Sequence, residues 1–252
     1  MAKFDLATVE ASLMTRINAA RFWLYHGLLP LALFILLVLV FEVSGLDLGF
    51  SDYFYDFDAG RWLFKDSWWT EQLIHRGGRK LILFIALASL AAWALSFRLE
   101  RLRRWRRAAL YLALAIGVGT GLVAFGKAAI NRHCPWDYDR YGGPVPYTGL
   151  LKPVPPGCTR GNCFPAGHAS GGFSLMSSYF IFYGRSRGRA IAGLLAGLAL
   201  GSLFGFGQVA RGAHFVSHNI WTAAVCWFSA LALYQWVFHG RLLVPDAGHE
   251  GD

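Results

Sequence analysis

Charged residues are scarce in this sequence: only 15% of its 252 residues are charged, whereas 55% are hydrophobic. Ordinary globular domains carry about 25% charged residues. A water-soluble protein would struggle to bury this much apolar surface, so the composition is not that of a soluble domain. Internal repeats and low-complexity tracts are also missing. A single membrane-embedded domain over residues 1–252 is therefore expected.

Long runs with few charges predict membrane-spanning helices, because about 20 mostly apolar residues cross roughly 30 Å of hydrocarbon. Six runs qualify: residues 22–41, 81–97, 108–130, 165–183, 190–210 and 215–238. The first is too long for the apolar region of a signal peptide, and no small-residue cleavage pattern follows it. We therefore expect it to be retained, and predict an all-α polytopic membrane protein with six spans.

Positive charge is concentrated in two connections between these runs. Residues 98–107 contain six arginines and residues 184–189 contain three more. Arginine-rich connections stay in the cytoplasm, so we place both there, together with the segment 1–21 and the tail 239–252. The opposite helix ends then face the periplasm or outside of a bacterial inner (plasma) membrane. Topology accounts for the net charge of +9, and no nucleic-acid partner is predicted.

Cysteine is rare, with four residues in the chain. Cys134, Cys158 and Cys163 all fall on the outward side, where an oxidising compartment permits a disulfide. Cys158 and Cys163 are the nearest pair in sequence, but sequence alone leaves the pairing open. Cys226 lies in the last predicted span and is assigned to packing.

Cations gather where the third predicted span ends. Lys127 closes that span, and Arg132 and Arg140 follow on either side of a Pro-Trp-Asp-Tyr turn at 135–138. A tight loop of this kind can hold two cations around one anion. Lys127 taken alone is equally explained as an anchor at the membrane interface.

Histidines mark the next two helix boundaries. The fourth span opens with Pro-Ala-Gly-His at 165–168, where Gly167 admits a close ligand and the unpaired N–H groups of a first helical turn attract phosphate. His168 lies beside this predicted phosphate-binding site, although a buried structural histidine would show the same sequence pattern. His214 and His218 are four residues apart and would share one helical face, with Arg211 just before them.

Together these residues resemble the type 2 phosphatidic acid phosphatase superfamily, which includes lipid A phosphatases and undecaprenyl diphosphate phosphatases. Its pattern is Lys-x6-Arg-Pro, then Pro-Ser-Gly-His, then Ser-Arg-x5-His-x3-Asp. Lys127, Gly167, His168 and His214 occupy matching positions. The resemblance implies that His214 attacks phosphorus and forms a phosphohistidine, and that His168 protonates the leaving oxygen. It implies no metal and no other cofactor.

Several motif positions depart from the family pattern: Cys134 replaces arginine, Ala166 replaces serine, Gly207 and Gln208 replace Ser-Arg, and His218 replaces aspartate. Losing one preorganised donor to a transition state costs about a hundred- to a thousandfold in rate. We expect Arg132 and Arg211 to act as displaced replacements for the missing arginines. A neutral imidazole at His218 can still fix the tautomer of His214, with a penalty on the order of tenfold in rate.

The predicted function is hydrolysis of a lipid-linked phosphate or diphosphate at the extracytoplasmic face of the bilayer. Transfer of phosphate between two lipids is a second possibility, and a catalytically degraded lipid-phosphate binder is a third. Zinc binding by His168, His214 and His218 is a fourth, although no carboxylate is placed to complete that site.

Two further expectations concern packing. The glycines at 193, 197 and 201 predict close helix contacts that keep the histidines in register. The aromatic segment 51–69 is expected at the membrane interface, or at an entry for acyl chains.

Overall fold

The chain is almost entirely helical in the computed structural model, which describes residues 18–242. The helices, in chain order, are α1 (Asn18–Ser44), α2 (Leu46–Asp52), α3 (Trp69–Leu95), α4 (Glu100–Arg103), α5 (Arg106–Ala129), α6 (Gly167–Ser174), α7 (Ser178–Phe182), α8 (Arg187–Ala210) and α9 (Val216–Val237). One small antiparallel hairpin joins β1 (Tyr55–Asp56) to β2 (Arg61–Trp62). Most of the segment 1–21 and of the tail 239–252, both expected in the cytoplasm, lies outside the described residues.

Five of these helices, α1, α3, α5, α8 and α9, are long and apolar enough to cross a membrane. Their outer faces carry large apolar side chains such as Leu33, Leu36 and Phe84, which are 57%, 57% and 68% exposed. Water would oppose such exposure by about 25 cal/mol for each Å² of apolar surface. The predicted all-α class is confirmed, and the helices indicate a lipid bilayer environment.

The fourth predicted span has a different form from the other five. It consists of α6, a 3₁₀ turn at Leu175–Ser177, and α7. A helix from residue 167 to 182 would extend only about 24 Å at 1.5 Å per residue. The six-span count therefore stays a prediction, with five long helices described. The second span also differs, because α3 begins at Trp69 with π-helical turns that continue to Gly77.

The α6–α7 segment is buried inside the bundle, and glycines on α8 allow it to come so close. A Cβ atom on Gly201 would overlap the ring of Phe173, and one on Gly197 would overlap the backbone of Met176. Gly193 faces Ser178 in the same way. The predicted close packing of these three glycines is confirmed. It brings the start of α6 beside the connection between α8 and α9.

The segment 51–69 folds over that connection instead of only lining an interface. Its hairpin contributes Trp62 to an aromatic cluster that includes Tyr141 and Phe215. Asp52 accepts hydrogen bonds from Arg140 Nε at 2.8 Å and Nη2 at 2.6 Å. Arg140, one of the cations expected to surround an anion at the 135–138 turn, is thus paired with Asp52.

A disulfide joins Cys134 to Cys163, and Cys158 remains unpaired. The suggestion that Cys158 pairs with its sequence neighbour Cys163 is therefore wrong. Two outer segments, 131–134 and 159–163, lie side by side, with the Cys163 N–H donating to the Arg132 carbonyl at 2.9 Å. This contact sets Cys134 opposite a partner that is 29 residues away.

Candidate active site

Three helix boundaries meet at one end of the bundle. A Cβ atom on Gly167, the first residue of α6, would lie 3.9 Å from Lys127 Nζ near the end of α5. The backbone N–H of Ala166 donates to the carbonyl of His218 in the first turn of α9, at 3.4 Å. The fold therefore brings together residues that are widely separated in the sequence.

His214 and His218 form a buried pair, with exposed fractions of 5% and 2%. Their Nδ1 atoms lie 3.3 Å apart, so one ring donates an N–H and the other accepts it. His214 precedes α9 and lies in the corner after α8, where its backbone N–H donates to the Gln208 carbonyl at 3.3 Å. Within residues 18–242, no hydrogen bond engages Nε2 of His214. This nitrogen is available to react.

Burial holds the pKa of His214 well below its ordinary value, and positive charge on His218, Lys127 and His168 acts in the same direction. Desolvation disfavours the charged form of an imidazole, so His214 is neutral at pH 7. A neutral imidazole has a lone pair on one nitrogen, which is the form that a nucleophile requires.

His168 lies in the first turn of α6, with its ring against Phe204 at a centroid distance of 5.2 Å. Its Nε2 lies 3.1 Å from the carbonyl oxygen of Ile74, to which an Nε2–H donates. Ile74 belongs to the π-helical part of α3, which precedes the second predicted span. A carbonyl acceptor at Nε2 favours a proton on that nitrogen.

The predicted phosphate-binding cations have different surroundings. Lys127 is half-buried, and no carboxylate in the described part of the chain pairs with it. Arg132 is partly buried beside the disulfide-linked segments. Arg211 instead pairs with Glu71 at 2.6 Å and donates to the Lys65 carbonyl at 3.1 Å. A role for Arg211 in binding phosphate stays a prediction and requires Glu71 to share or release it.

Asp47 is a residue that the sequence analysis missed. Its Oδ1 accepts the backbone N–H of Ser217 at 2.9 Å and so caps the start of α9, where Phe215 supplies no side-chain cap. The carboxyl is 6% exposed, and burial raises its pKa to about 6. No local pattern connects a residue after the first span with a helix 170 positions later. Thr222 is a second such residue, since its hydroxyl donates to the carbonyl of Ala166 at 3.2 Å.

Among residues 18–242, the group of donors that could hold a metal differs from the three histidines of the zinc alternative. Cys163, His214 and His218 place their ligand atoms within 4.8 Å of one another, all buried, and His168 is not in the group. Cys163 is engaged in the disulfide, so its sulfur is not a thiolate. In this oxidised form the cluster lacks the charged ligand that soft divalent metals prefer.

Residues 108–241 match a family described as the PAP2 superfamily. The match covers more than half of the chain and includes Lys127, His168, His214 and His218. Comparisons with curated proteins and with solved structures found no match. Membership supports phosphatase activity on phosphate esters, and the resemblance drawn from the motifs is confirmed. The chain, which pairs two imidazoles beside a helix start and a half-buried lysine, belongs to the PAP2 superfamily.

Proposed function

We propose that this protein is a membrane phosphatase that hydrolyses a lipid-linked phosphate or diphosphate at the extracytoplasmic face, through a phosphohistidine on His214. The observation that carries the proposal is the contact between the Nδ1 atoms of His214 and His218 at 3.3 Å. With His214 as the donor in this pair, the lone pair of its neutral ring lies on Nε2, which is the nucleophile. Lys127, near the end of α5, lies beside the start of α6.

In the first step, the Nε2 lone pair of His214 attacks phosphorus, and the bond from phosphorus to the leaving oxygen breaks. His168 gives its Nδ1 proton to that oxygen, which leaves as an alcohol or as a lipid phosphate. The Nδ1–H of His214 donates to His218 throughout, so the positive charge that develops on His214 is shared with a neutral acceptor. General acid catalysis of this kind contributes about a hundred- to ten-thousandfold.

In the second step, water attacks phosphorus and the P–N bond breaks. Neutral His168 takes a proton from that water, which restores both histidines and releases inorganic phosphate. Lys127, Arg132 and the backbone N–H groups around Gly167 balance the charge on the phosphoryl oxygens. Arg211 adds to them if the phosphate draws it from Glu71.

A lipid substrate is supported by an apolar cavity of about 1260 Å³ between α1, α2, α8 and α9. Its walls include Leu33, Phe206 and Trp227, and Val216 and Asn219 line it in the first turn of α9. Apolar surface of this kind suits acyl or isoprenoid chains. The outward orientation is supported by the arginines at 98–107 and 184–189, which lie in connections at the opposite helix ends from the site.

The test uses purified full-length protein in detergent with a panel of lipid monophosphates and diphosphates. Phosphate release should be lost in His214→Ala. Acid-labile, base-stable label should appear on the wild type after a rapid quench with phosphorus-labelled substrate, and should be missing from the variant. Equal release by both proteins would contradict the proposal. Label moving to an added lipid would identify a phosphotransferase, and binding without turnover a degraded binder.

A further inference from the structure

We propose that reduction of the Cys134–Cys163 disulfide turns Cys163, His214 and His218 into a buried zinc site, and that zinc held there stops the enzyme. Formation of the site stands on geometry alone. Its effect on catalysis rests on the proposed role of His214.

Two of the three distances within the cluster fit tetrahedral zinc, and the third, between Cys163 and His218, is at most 4.8 Å. Zinc binds imidazole nitrogen at about 2.0–2.1 Å and thiolate sulfur at about 2.3 Å. Tetrahedral angles then require about 3.3 Å between two nitrogens and about 3.6 Å between nitrogen and sulfur, as follows from those bond lengths. His214 Nδ1 lies 3.3 Å from His218 Nδ1 and 3.6 Å from Cys163 Sγ.

Charge explains why the site depends on the redox state. In the oxidised protein the three donors are neutral, and the ammonium of Lys127 nearby repels a dication. A dithiol or phosphine reductant supplies two electrons to the disulfide and is itself oxidised, giving two thiols. Zinc then displaces the proton of the Cys163 thiol, and the thiolate adds one negative charge to two imidazoles. Three protein ligands and one water complete four-coordination.

Metal binding at Nδ1 would disable the nucleophile. The Nδ1 lone pair of each ring must face the metal, so the proton of each neutral ring must lie on Nε2. For His214 this protonates the nitrogen that attacks phosphorus. The 3.3 Å hydrogen bond to His218 is also replaced by two metal bonds. Zinc would therefore inhibit by holding His214 in the Nε2–H tautomer, which cannot attack phosphorus, and not by occupying the place of the substrate.

The experiment measures zinc per chain after the full-length protein in detergent is incubated with zinc chloride and gel-filtered. Cys158→Ser serves as the background, since Cys158 is a free and partly exposed cysteine, whereas the free Cys226 is buried. Cys134→Ser leaves Cys163 without its partner and should bind about one zinc per chain with no reductant. The oxidised background should bind less than a tenth as much, and adding a phosphine should raise it to the same level. Cys163→Ser should bind none in either state.

Cobalt(II) provides a second readout, because a thiolate ligand produces a charge-transfer absorption that imidazoles alone do not. This band should appear in Cys134→Ser and disappear in Cys163→Ser. Equal zinc in the oxidised and reduced background, or zinc retained by reduced Cys163→Ser, would overturn the site. If Cys134→Ser does not fold, the reduced background and reduced Cys163→Ser still decide it.

Activity separates this inference from the proposed function. Zinc should lower phosphate release by Cys134→Ser at least about a hundredfold, and a chelator should restore it. Zinc binding with unchanged activity would overturn the inhibitory role. A site that binds zinc in a protein with no phosphatase activity in any arm would contradict the proposed function and leave the metal site standing.

Discussion

Buried histidines contact α9 at two places, a single residue at one and a pair at the other, and they differ in what their nitrogens contact. At the first place, His26 on α1 has Nδ1 at 2.8 Å from the Phe22 carbonyl and Nε2 at 2.7 Å from the Tyr179 hydroxyl. At the second, His214 and His218 contact each other through Nδ1. Both groups are almost inaccessible to solvent, so burial alone does not distinguish structural from reactive histidines.

The surroundings of the two groups explain the difference. His26 is stacked on Phe22 at 4.5 Å, and both of its nitrogens are satisfied by neutral groups. Such a ring contributes to packing and hydrogen bonding without any need for chemistry. His214 has a basic neighbour, Lys127, and a second imidazole that sets its tautomer. His214, the proposed nucleophile, thus differs from His26 in having one nitrogen hydrogen-bonded and the other without a hydrogen bond to any described residue.

The largest expected effect comes from exchanging these two histidines for alanine. His214→Ala should lower turnover by more than about ten-thousandfold, because the nucleophile is lost. His26→Ala should lose stability by about 1–3 kcal/mol, because the Tyr179 hydroxyl loses its partner, while turnover per folded molecule stays within a factor of two or so. Phosphate release normalised to folded protein measures both. Comparable loss of turnover in the two variants would erase the distinction.

The next effect concerns His168, which is half-buried with its ring against Phe204 and has a proposed role in proton transfer. His168→Gln keeps a donor for the Ile74 carbonyl and should lower turnover about a hundred- to ten-thousandfold on lipid phosphates. An aryl phosphate, whose leaving group needs no proton, should be affected far less. Rates on the two substrates give the comparison. A uniform loss on both would make His168 a packing residue like His26.

The two regions were not equally predictable from the sequence. The positions of Lys127, Gly167, His168 and His214 follow from motif spacing, and the structure places them at one end of the bundle because three helices begin or end there. The continuous apolar run of the α6–α7 segment predicts a full span, whereas the segment forms two short helices. A short apolar run predicts that a segment is helical more reliably than it predicts how long the helix is.

Contacts between distant segments account for most of what was missed. The Cys134–Cys163 pairing depends on two outer segments lying side by side, which sequence proximity to Cys158 does not reveal. The pairing of Arg211 with Glu71 depends on α3 beginning earlier than its apolar run. Side-chain partners that arise from tertiary packing leave no local pattern to read.

A smaller effect sharpens the comparison within the reactive pair. His218→Asp restores the family's acidic residue and supplies a charged acceptor for the Nδ1–H of His214. Charged hydrogen bonds contribute about 1.5–3 kcal/mol and neutral ones about 0.5–1.5, so turnover should rise on the order of tenfold. Steady-state rates across pH 5–9 would show this gain. Unchanged turnover at every pH would mean that His218 does not orient the nucleophile. His218→Ala is the matched control, because it removes the acceptor.

The smallest effect is on stability and concerns Asp47, which holds the end of α9 that carries His218. Burial raises the folded-state pKa of this carboxyl to about 6. An acid whose pKa is higher in the folded than in the unfolded state binds more protons when folded, so stability falls as the pH rises from about 4 to 6. Above pH 6 the buried charge costs about 3 kcal/mol at most. Asp47→Asn keeps the Oδ1 acceptor without the charge.

Thermal unfolding, followed by tryptophan fluorescence at pH 4 and pH 7.5, measures this effect. Asp47→Asn should raise the midpoint at pH 7.5 and leave it nearly unchanged at pH 4, where the wild-type carboxyl is already protonated. Asp47→Ala removes the cap, which costs about 1 kcal/mol, and should gain less at pH 7.5. The same stabilisation by Asn at both pH values would mean that the pKa of Asp47 does not differ between the folded and the unfolded protein. At pH 7.5 the charge of the carboxylate lowers stability, whereas its Oδ1 acceptor fixes the start of α9. Turnover should therefore be kept by Asp47→Asn, which retains the acceptor, and lowered by Asp47→Ala, which does not.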